Sequence, residues 1–310
     1  MPINLMVLTS YFAIKPEDIK GGIAHRYVGL YGSLIKKLLD YSRHSKIFWY
    51  SNTDKTLRLI ASGEFRIFEI SMLKAILVAT VSTFKTSRNM IVLIAYPYAV
   101  PTVKELHEYL LSLFILKILS LSGRVKTIVD NFDPPVEEAF AFSEKRPSSF
   151  LIIYYRTLDL ITLRLASFII VLSDFWRHYI SKIYHLKTKN LLVCPNGALI
   201  KLIPYNPPKL KGPITILYAG SALKVKDIDN LINALASLKE KGLSINLHIA
   251  GAQKIDIPNW VNIGSYDWPT FVKTLLPLLI FVLYRTLHLE WLFIILYQQN
   301  FLIIWQLASP

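Results

Sequence analysis

Lys224 and Lys226 stand just beyond a glycine turn, Gly220-Ser221, in the stretch ITILYAGSALKVKDIDNLINA that runs from Ile214 to Ala234. Ile216 to Ala219 form a short apolar run, and Leu231, Ile232, Leu235 and Leu238 recur at helical spacing, so the order is strand, turn, lysines, helix. A helix start offers unpaired backbone N–H groups and a partial positive charge, and two ammonium groups beside it add full charges. That combination suits a pyrophosphate. The alternative is a tight βα turn whose lysines are merely solvated.

Two further places carry chemistry-bearing residues. Gly21 and Gly22 follow a first strand and precede a long helical pattern; paired glycines let backbone approach a ligand at the carboxyl end of a strand, where open α/β sheets bind. His25 follows them, either beside phosphate or on the surface. The segment VDNFDPPVEE ends another strand with Asp130 and Asp133, which could serve as base, as ligand to an acceptor hydroxyl or as metal ligands, or could simply cap the turn before Pro134. Ser173-Asp174 reads as a helix N-cap, and Pro195-Asn196-Gly197 after Cys194 as an ordinary turn.

These residues need strands and helices to hold them. Apolar runs at 5–8, 46–49, 65–70, 91–95, 127–129, 168–172 and 191–193 predict strands, and helical patterns lie at 24–39, 103–121, 150–165 and 176–184. The segment KLIPYNPPKLKGP, residues 201–213, is proline-rich and aperiodic and reads as a linker. A second βα series follows at 215–219, 227–239, 245–250 and 261–264. The expected organisation is therefore a first domain over 1–200, a linker over 201–213 and a second domain over 214–310.

The chain has 310 residues, of which 53% are hydrophobic, with mean hydropathy +0.40. That is high for a soluble protein and implies exposed apolar surface. Lys and Arg total 35 against 21 Asp and Glu, a net charge of +14, so phosphorylated small molecules, polyanions or an anionic membrane are natural partners. No Lys/Arg-dense segment with interleaved aromatics occurs, which disfavours nucleic acid. Cys194 is the only cysteine, so no intramolecular disulfide forms and a thiolate metal site is not expected. The N-terminus reads as a strand rather than a signal peptide, which points to the cytoplasm. The apolar pattern at 107–121, with Lys104, Lys117, Arg124 and Lys126 around it, fits either a helix lying in a membrane interface or a buried helix. Trp291 to Pro310 lacks charge, but Gln298, Gln299 and Asn300 at its middle argue against a spanning helix.

Taken in order, GGIAHRYVGL, IIVLSDFWRHYI, CPNG, ILYAGSALKVKDIDNLINAL, LHIAGA and VNIGSYDW resemble the glycosyltransferases of family 4 over residues 3–285. The resemblance implies a GT-B fold, two Rossmann-like α/β domains facing a cleft. It also implies transfer of a sugar from a nucleotide diphosphate sugar to a glycan or lipid-linked acceptor, with retention and without an essential metal or other cofactor. Gly21, Gly22, Gly220, Ser221, Lys224 and Lys226 would lie at the donor phosphates, and Gly251 and Tyr266 would border the base. Asp130 and Asp133 would stand on the acceptor side, and Glu290 would match the first of two sugar-contacting glutamates, whose second position here is Gln298. The segment after Glu290 departs from the family pattern and reads as a truncated or frame-shifted end, leaving the second domain incomplete. The rivals are a GT-B nucleotide-sugar epimerase-like enzyme and an inactive remnant or nucleotide-sugar-binding scaffold. A peripheral contact with the inner membrane face is expected alongside a cytoplasmic location.

Overall fold

Burial on both faces marks the centre of the first sheet. In a computed structural model, β1 (Ile3–Thr9) is buried from Asn4 to Thr9 on both faces, as a strand covered on both sides must be. The structure describes residues 2–10, 12, 27–42, 44–61, 64–97, 106–132, 136, 148–195, 214–219, 228–250, 258–264, 281–284, 292–297 and 301–306. The chain divides into two units, Met1–Phe140 with Lys145–Ala198, and Ala141–Glu144 with Leu199–Pro310.

In the first unit, β1 is followed by a π-helical turn, Tyr27–Gly32, that continues as α1 (Ser33–Tyr41). Then come β2 (Lys46–Ser51), β3 (Thr56–Ala61), β4 (Glu64–Glu69), α2 (Met72–Lys85), β5 (Asn89–Tyr96), α3 (Leu106–Ser120) and β6 (Val125–Asn131). The unit ends with α4 (Ser149–Leu165), β7 (Phe168–Val171), α5 (Asp174–Tyr184) and β8 (Leu191–Val193). The sheet order is β4-β3-β2-β1-β5-β6-β7-β8, parallel from β2 through β8, with the β2–β3 and β3–β4 pairings antiparallel.

The chain steps from β1 to β2 in one direction and from β2 across β1 to β5, β6, β7 and β8 in the other. Right-handed crossovers then require α1 on one face and α2 to α5 on the opposite face. The packing agrees. Met6, Leu8, Phe48, Tyr50, Val92, Ile94, Val129 and Val171 share one cluster with residues of α2, α3, α4 and α5. On the other face Tyr27, Tyr31 and Ile35 recur every fourth residue and are buried, with the two tyrosines stacked at 5.3 Å and both rings against Trp49.

Helix ends follow the expected chemistry. Ser148 Oγ accepts from the Leu151 N–H at 3.3 Å to cap α4, and Ser173 Oγ accepts from the Trp176 N–H at 3.2 Å to cap α5, the role its position after β7 predicts. The N-terminus of α2 is capped from a distance: Glu108 of α3 accepts from the Leu73 N–H at 2.8 Å. Asn4, buried inside β1, is satisfied by donating to Thr83 Oγ1 and accepting from the Lys46 N–H.

In the second unit β9 (Ile214–Ala219), α6 (Ile228–Glu240), β10 (Ile245–Ala250) and β11 (Val261–Gly264) are followed by β12 (Phe281–Tyr284), β13 (Leu292–Tyr297) and β14 (Phe301–Gln306). The order is β11-β10-β9-β12-β13-β14, with β9 to β12 parallel and the last two strands antiparallel. Ile216, Tyr218, Leu247 and Ile249 of the sheet pack on Ile228, Leu231, Ile232 and Leu235 of α6.

Four features were not anticipated. β3 is a strand with a charged Arg58 in its middle, and α2 is a continuous apolar helix whose pattern resembles a buried strand as much as a helix. β12 was not anticipated at all, and the uncharged C-terminal segment, read as patternless, forms β13 and β14. An apolar run without flanking polarity does not tell helix from strand; only its partners do.

Two substitutions separate core from rim. Ile94→Ala, in the centre of the first sheet, is expected to cost about 2–5 kcal/mol by opening a cavity, whereas Ile67→Thr on the exposed β4 changes stability by about 0.5 kcal/mol or less. Denaturant midpoints of the two variants measure the contrast.

Candidate functional site

Strand order reverses around β1, so the crevice at the carboxyl ends of β1 and β5 is the topological switch point of the first unit, where open α/β sheets take ligands. The register places Thr9 opposite Ser51 and Ala95 opposite Asp130, with Tyr96 opposite Asn131 one residue further on. Successive residues point to opposite faces, so this edge carries two different sets of groups.

The α1 face holds Thr9, Trp49 and Asp130. Trp49 Nε1 donates to Thr9 Oγ1 at 2.7 Å, and Tyr31 O–H donates to Asp130 Oδ2 at 2.6 Å, all in buried surroundings. Ser10 Oγ lies 3.2 Å from Tyr27 O–H at the end of the same strand. The π-helical turn makes this arrangement, bringing Tyr27 and Tyr31 over Trp49, and such turns concentrate at functional sites. Asp130 is closed to solvent, and a carboxylate taken out of water needs such a donor. A phenol at 2.6 Å orients it as an acceptor towards the strand ends.

On the helical face stand Tyr96 and Asn131. The Asn131 side chain is buried, and among the described residues its Oδ1 has no hydrogen-bond partner. Beside it lies a polar network that sequence reading did not find. Asp159 of α4 accepts from the phenols of both Tyr96 and Tyr184 in two short hydrogen bonds. Arg156, one turn earlier, donates to Tyr184 Oη at 2.9 Å and to Tyr179 Oη at 3.4 Å. Its sequence signal was the lone carboxylate inside SFLIIYYRTLDLITLRL, which an apolar helix retains only with partners. Burial and then the Asp159 charge push the Tyr96 phenol well above its ordinary value of 10.0, and the same causes, in the same order, raise Tyr184. Burial also raises Tyr109, which lies 3.2 Å from Thr162 Oγ1. Burial thus favours the protonated phenols of Tyr96 and Tyr184 that donate to Asp159.

Of the candidate site residues expected from sequence, Asp130 is the one the structure describes, and it sits at the switch point. Gly21, Gly22, Asp133, Gly220, Ser221, Lys224, Lys226, Gly251, Tyr266 and Glu290 lie outside the described residues, as does the linker at 201–213. The two elements that bracket the phosphate-type turn, β9 and α6, are present. Among the described residues no group of three or more His, Cys, Asp or Glu could hold a metal ion, and no helix is long and apolar enough to cross a membrane.

No protein-family model and no curated protein matches the sequence. Solved structures do. The lipopolysaccharide outer core galactosyltransferase WaaB, in its apo form, matches 91% of this chain and 73% of its own, at 14% identity and a TM-score of 0.51. HepE of Anabaena, solved with UDP and glucose, matches the same shares at 15% identity and a TM-score of 0.45. The GtfA/B complex matches 68% of this chain, which spans only 42% of that one, at 15% identity and a TM-score of 0.40. The likeness to WaaB is one of fold: the chain has the α/β fold of the GT-B class, built on Rossmann-like sheets.

The tyrosine network makes a pH test. A folded pKa above the unfolded one stabilises the protein fully below pH 10.0, and that contribution is lost as pH rises through the higher folded values. Denaturant midpoints should therefore fall steeply only above that pH, with phenolate absorbance of the buried tyrosines appearing together with unfolding. Asp159→Ala, which strands two buried phenols, should cost about 3 kcal/mol at neutral pH.

Proposed function

We propose that the chain is a glycosyltransferase that moves a sugar from a nucleotide diphosphate sugar to a glycan or lipid-linked acceptor, with retention of configuration. The observation that carries this reading is the shared fold with the galactosyltransferase WaaB over 91% of the chain, joined to the strand-turn-lysine-helix segment that begins in β9. In this reading residues 1–200 form the acceptor-side domain, 201–213 the linker and 214–310 the nucleotide-sugar domain.

The chemistry follows from charge. As the glycosidic bond to the diphosphate breaks, negative charge grows on the leaving phosphate, and Lys224, Lys226 and the N–H groups of Gly220 and Ser221 stabilise it there. Gly21 and Gly22 allow backbone to approach the same phosphates from the first domain, and Gly251 and Tyr266 flank the base. Glu290 holds the sugar. On the acceptor side Asp130, oriented by Tyr31, and Asp133 receive the acceptor hydroxyl and its proton. With lysines supplying the positive charge, no metal or other cofactor is required. A lipid-linked acceptor fits the basic balance of the chain and places the enzyme at the cytoplasmic face of a membrane.

Titrating the purified protein with a panel of nucleotide diphosphate sugars, while following released diphosphate, tests the reading. Turnover that survives a metal chelator is the expected result, with the acceptor product keeping the donor's anomeric configuration. Lys226→Ala should weaken donor binding roughly 10- to 100-fold through loss of one charge-assisted contact. Binding without turnover would favour a nucleotide-sugar-binding scaffold, and release of free sugar from the donor an epimerase-like enzyme. No binding to any donor would remove all three.

A further inference from the structure

Part of the exposed apolar surface of the first unit lies on two neighbouring helices. α2 and α3 pack side by side on the sheet. Their inner residues, among them Ile76, Ala79, Leu113 and Leu116, are buried in the core. Their outer residues are equally apolar: Leu77 is 45% exposed, Val81 51%, Phe114 56%, Ile118 50% and Leu121, just past α3, 79%. A helix that is apolar all round is ordinarily enclosed by protein or lipid, and a contiguous apolar area on a folded surface marks an interaction site.

The charges around this face select its partner. Met72–Lys85 and Leu106–Arg124 contain four cations, Lys74, Lys85, Lys117 and Arg124, and a single carboxylate, Glu108. That carboxylate is turned onto the N-terminus of α2 through the Leu73 N–H. Lys85 and Arg124 are exposed where the helices end, so cationic groups border the apolar stretch. Arg124 lies over the Phe84 ring at 5.8 Å, holding its guanidinium at that margin. Apolar side chains flanked by ammonium and guanidinium groups, with no outward-facing acid on either helix, match acyl chains beneath anionic headgroups.

We propose that the outer face of α2 and α3 docks on an anionic lipid surface, with Phe114, Ile118 and Leu121 entering the headgroup boundary and Lys85, Lys117 and Arg124 meeting phosphate. The proposal rests on the transferase reading for its purpose alone, since the contact itself needs neither donor nor turnover. Docking on the helical face leaves the α1 side of the switch point turned away from the lipid. The amino ends of β5 and β6, where the cations cluster, lie at the opposite edge of the sheet from Asp130.

Co-sedimentation of the full chain with phosphatidylcholine vesicles, with and without phosphatidylglycerol, tests it. Binding should require phosphatidylglycerol and weaken with salt. Phe114→Ser with Ile118→Ser should lower the partition coefficient by about tenfold or more, as should Lys117→Glu with Arg124→Glu. Both pairs lie outside the proposed catalytic groups, and circular dichroism shows whether each variant is folded. An environment-sensitive probe on Phe114→Cys in a Cys194→Ser background should blue-shift with the vesicles, whereas the same probe on Tyr41→Cys of α1 should not. Failure of the wild-type chain to pellet, or pelleting indifferent to both pairs, overturns the proposal. So does a dimer in solution that the Phe114→Ser, Ile118→Ser pair dissociates, which would assign the face to a second copy. Vesicle binding without sugar transfer would sink the transferase reading and leave this one standing; transfer to a soluble acceptor without vesicle binding would do the reverse.

Discussion

Everything in the first unit depends on β1 being hydrogen-bonded on both edges, to β2 on one side and β5 on the other. A central parallel strand has no free edge and no exposed face, so its neighbours must be reached by crossovers, and right-handedness sends those crossovers to opposite faces. The two layers of helices then part at the carboxyl end of β1. The crevice there is a consequence of topology before any side chain is considered.

What occupies that end is decided by the cost of burying charge. Asp130 and Asp159 are both removed from solvent, one on each face of the sheet, and each accepts from tyrosine, Asp130 from Tyr31 and Asp159 from Tyr96 and Tyr184. A phenol brings its donor on a large apolar ring, so it satisfies the carboxylate while adding to the core. Tyr31 thereby joins the stack with Tyr27 and Trp49, and Tyr96 joins the helical-face cluster. The polar groups at the switch point are consequently rigid, which is what a site that must orient a ligand hydroxyl requires.

The surface obeys a different balance. The unit covers one face of its sheet with four helices but the other, as described, with α1 and the tyrosine turn, and the apolar content of α2 and α3 exceeds what the sheet can bury. Excess hydrophobicity bordered by cations is a surface property, distinct from the chemistry at the strand ends. One fold can therefore carry both a recognition edge and a docking face without conflict between them.

From residue order alone came the strand and helix series around β1, β2 and β5 to β8, the βα pairs of the second unit, the Ser173 cap and the placement of Asp130 at a strand end. These depend on periodicity and capping within a dozen residues, which local physics dictates. Tertiary structure alone decided that Tyr31 is the partner of Asp130, 99 residues away, and that Asp159 meets Tyr96 at a separation of 63 and Tyr184 at 25. Such pairings are set by strand register and helix placement, and a one-residue slip in the strands would send Asp130 and Tyr96 to the wrong face. The same holds for β3, α2 and the C-terminal strands β12 to β14, where an apolar run is compatible with either element. Only the neighbour that completes its hydrogen bonds, or the core that receives its side chains, selects between them.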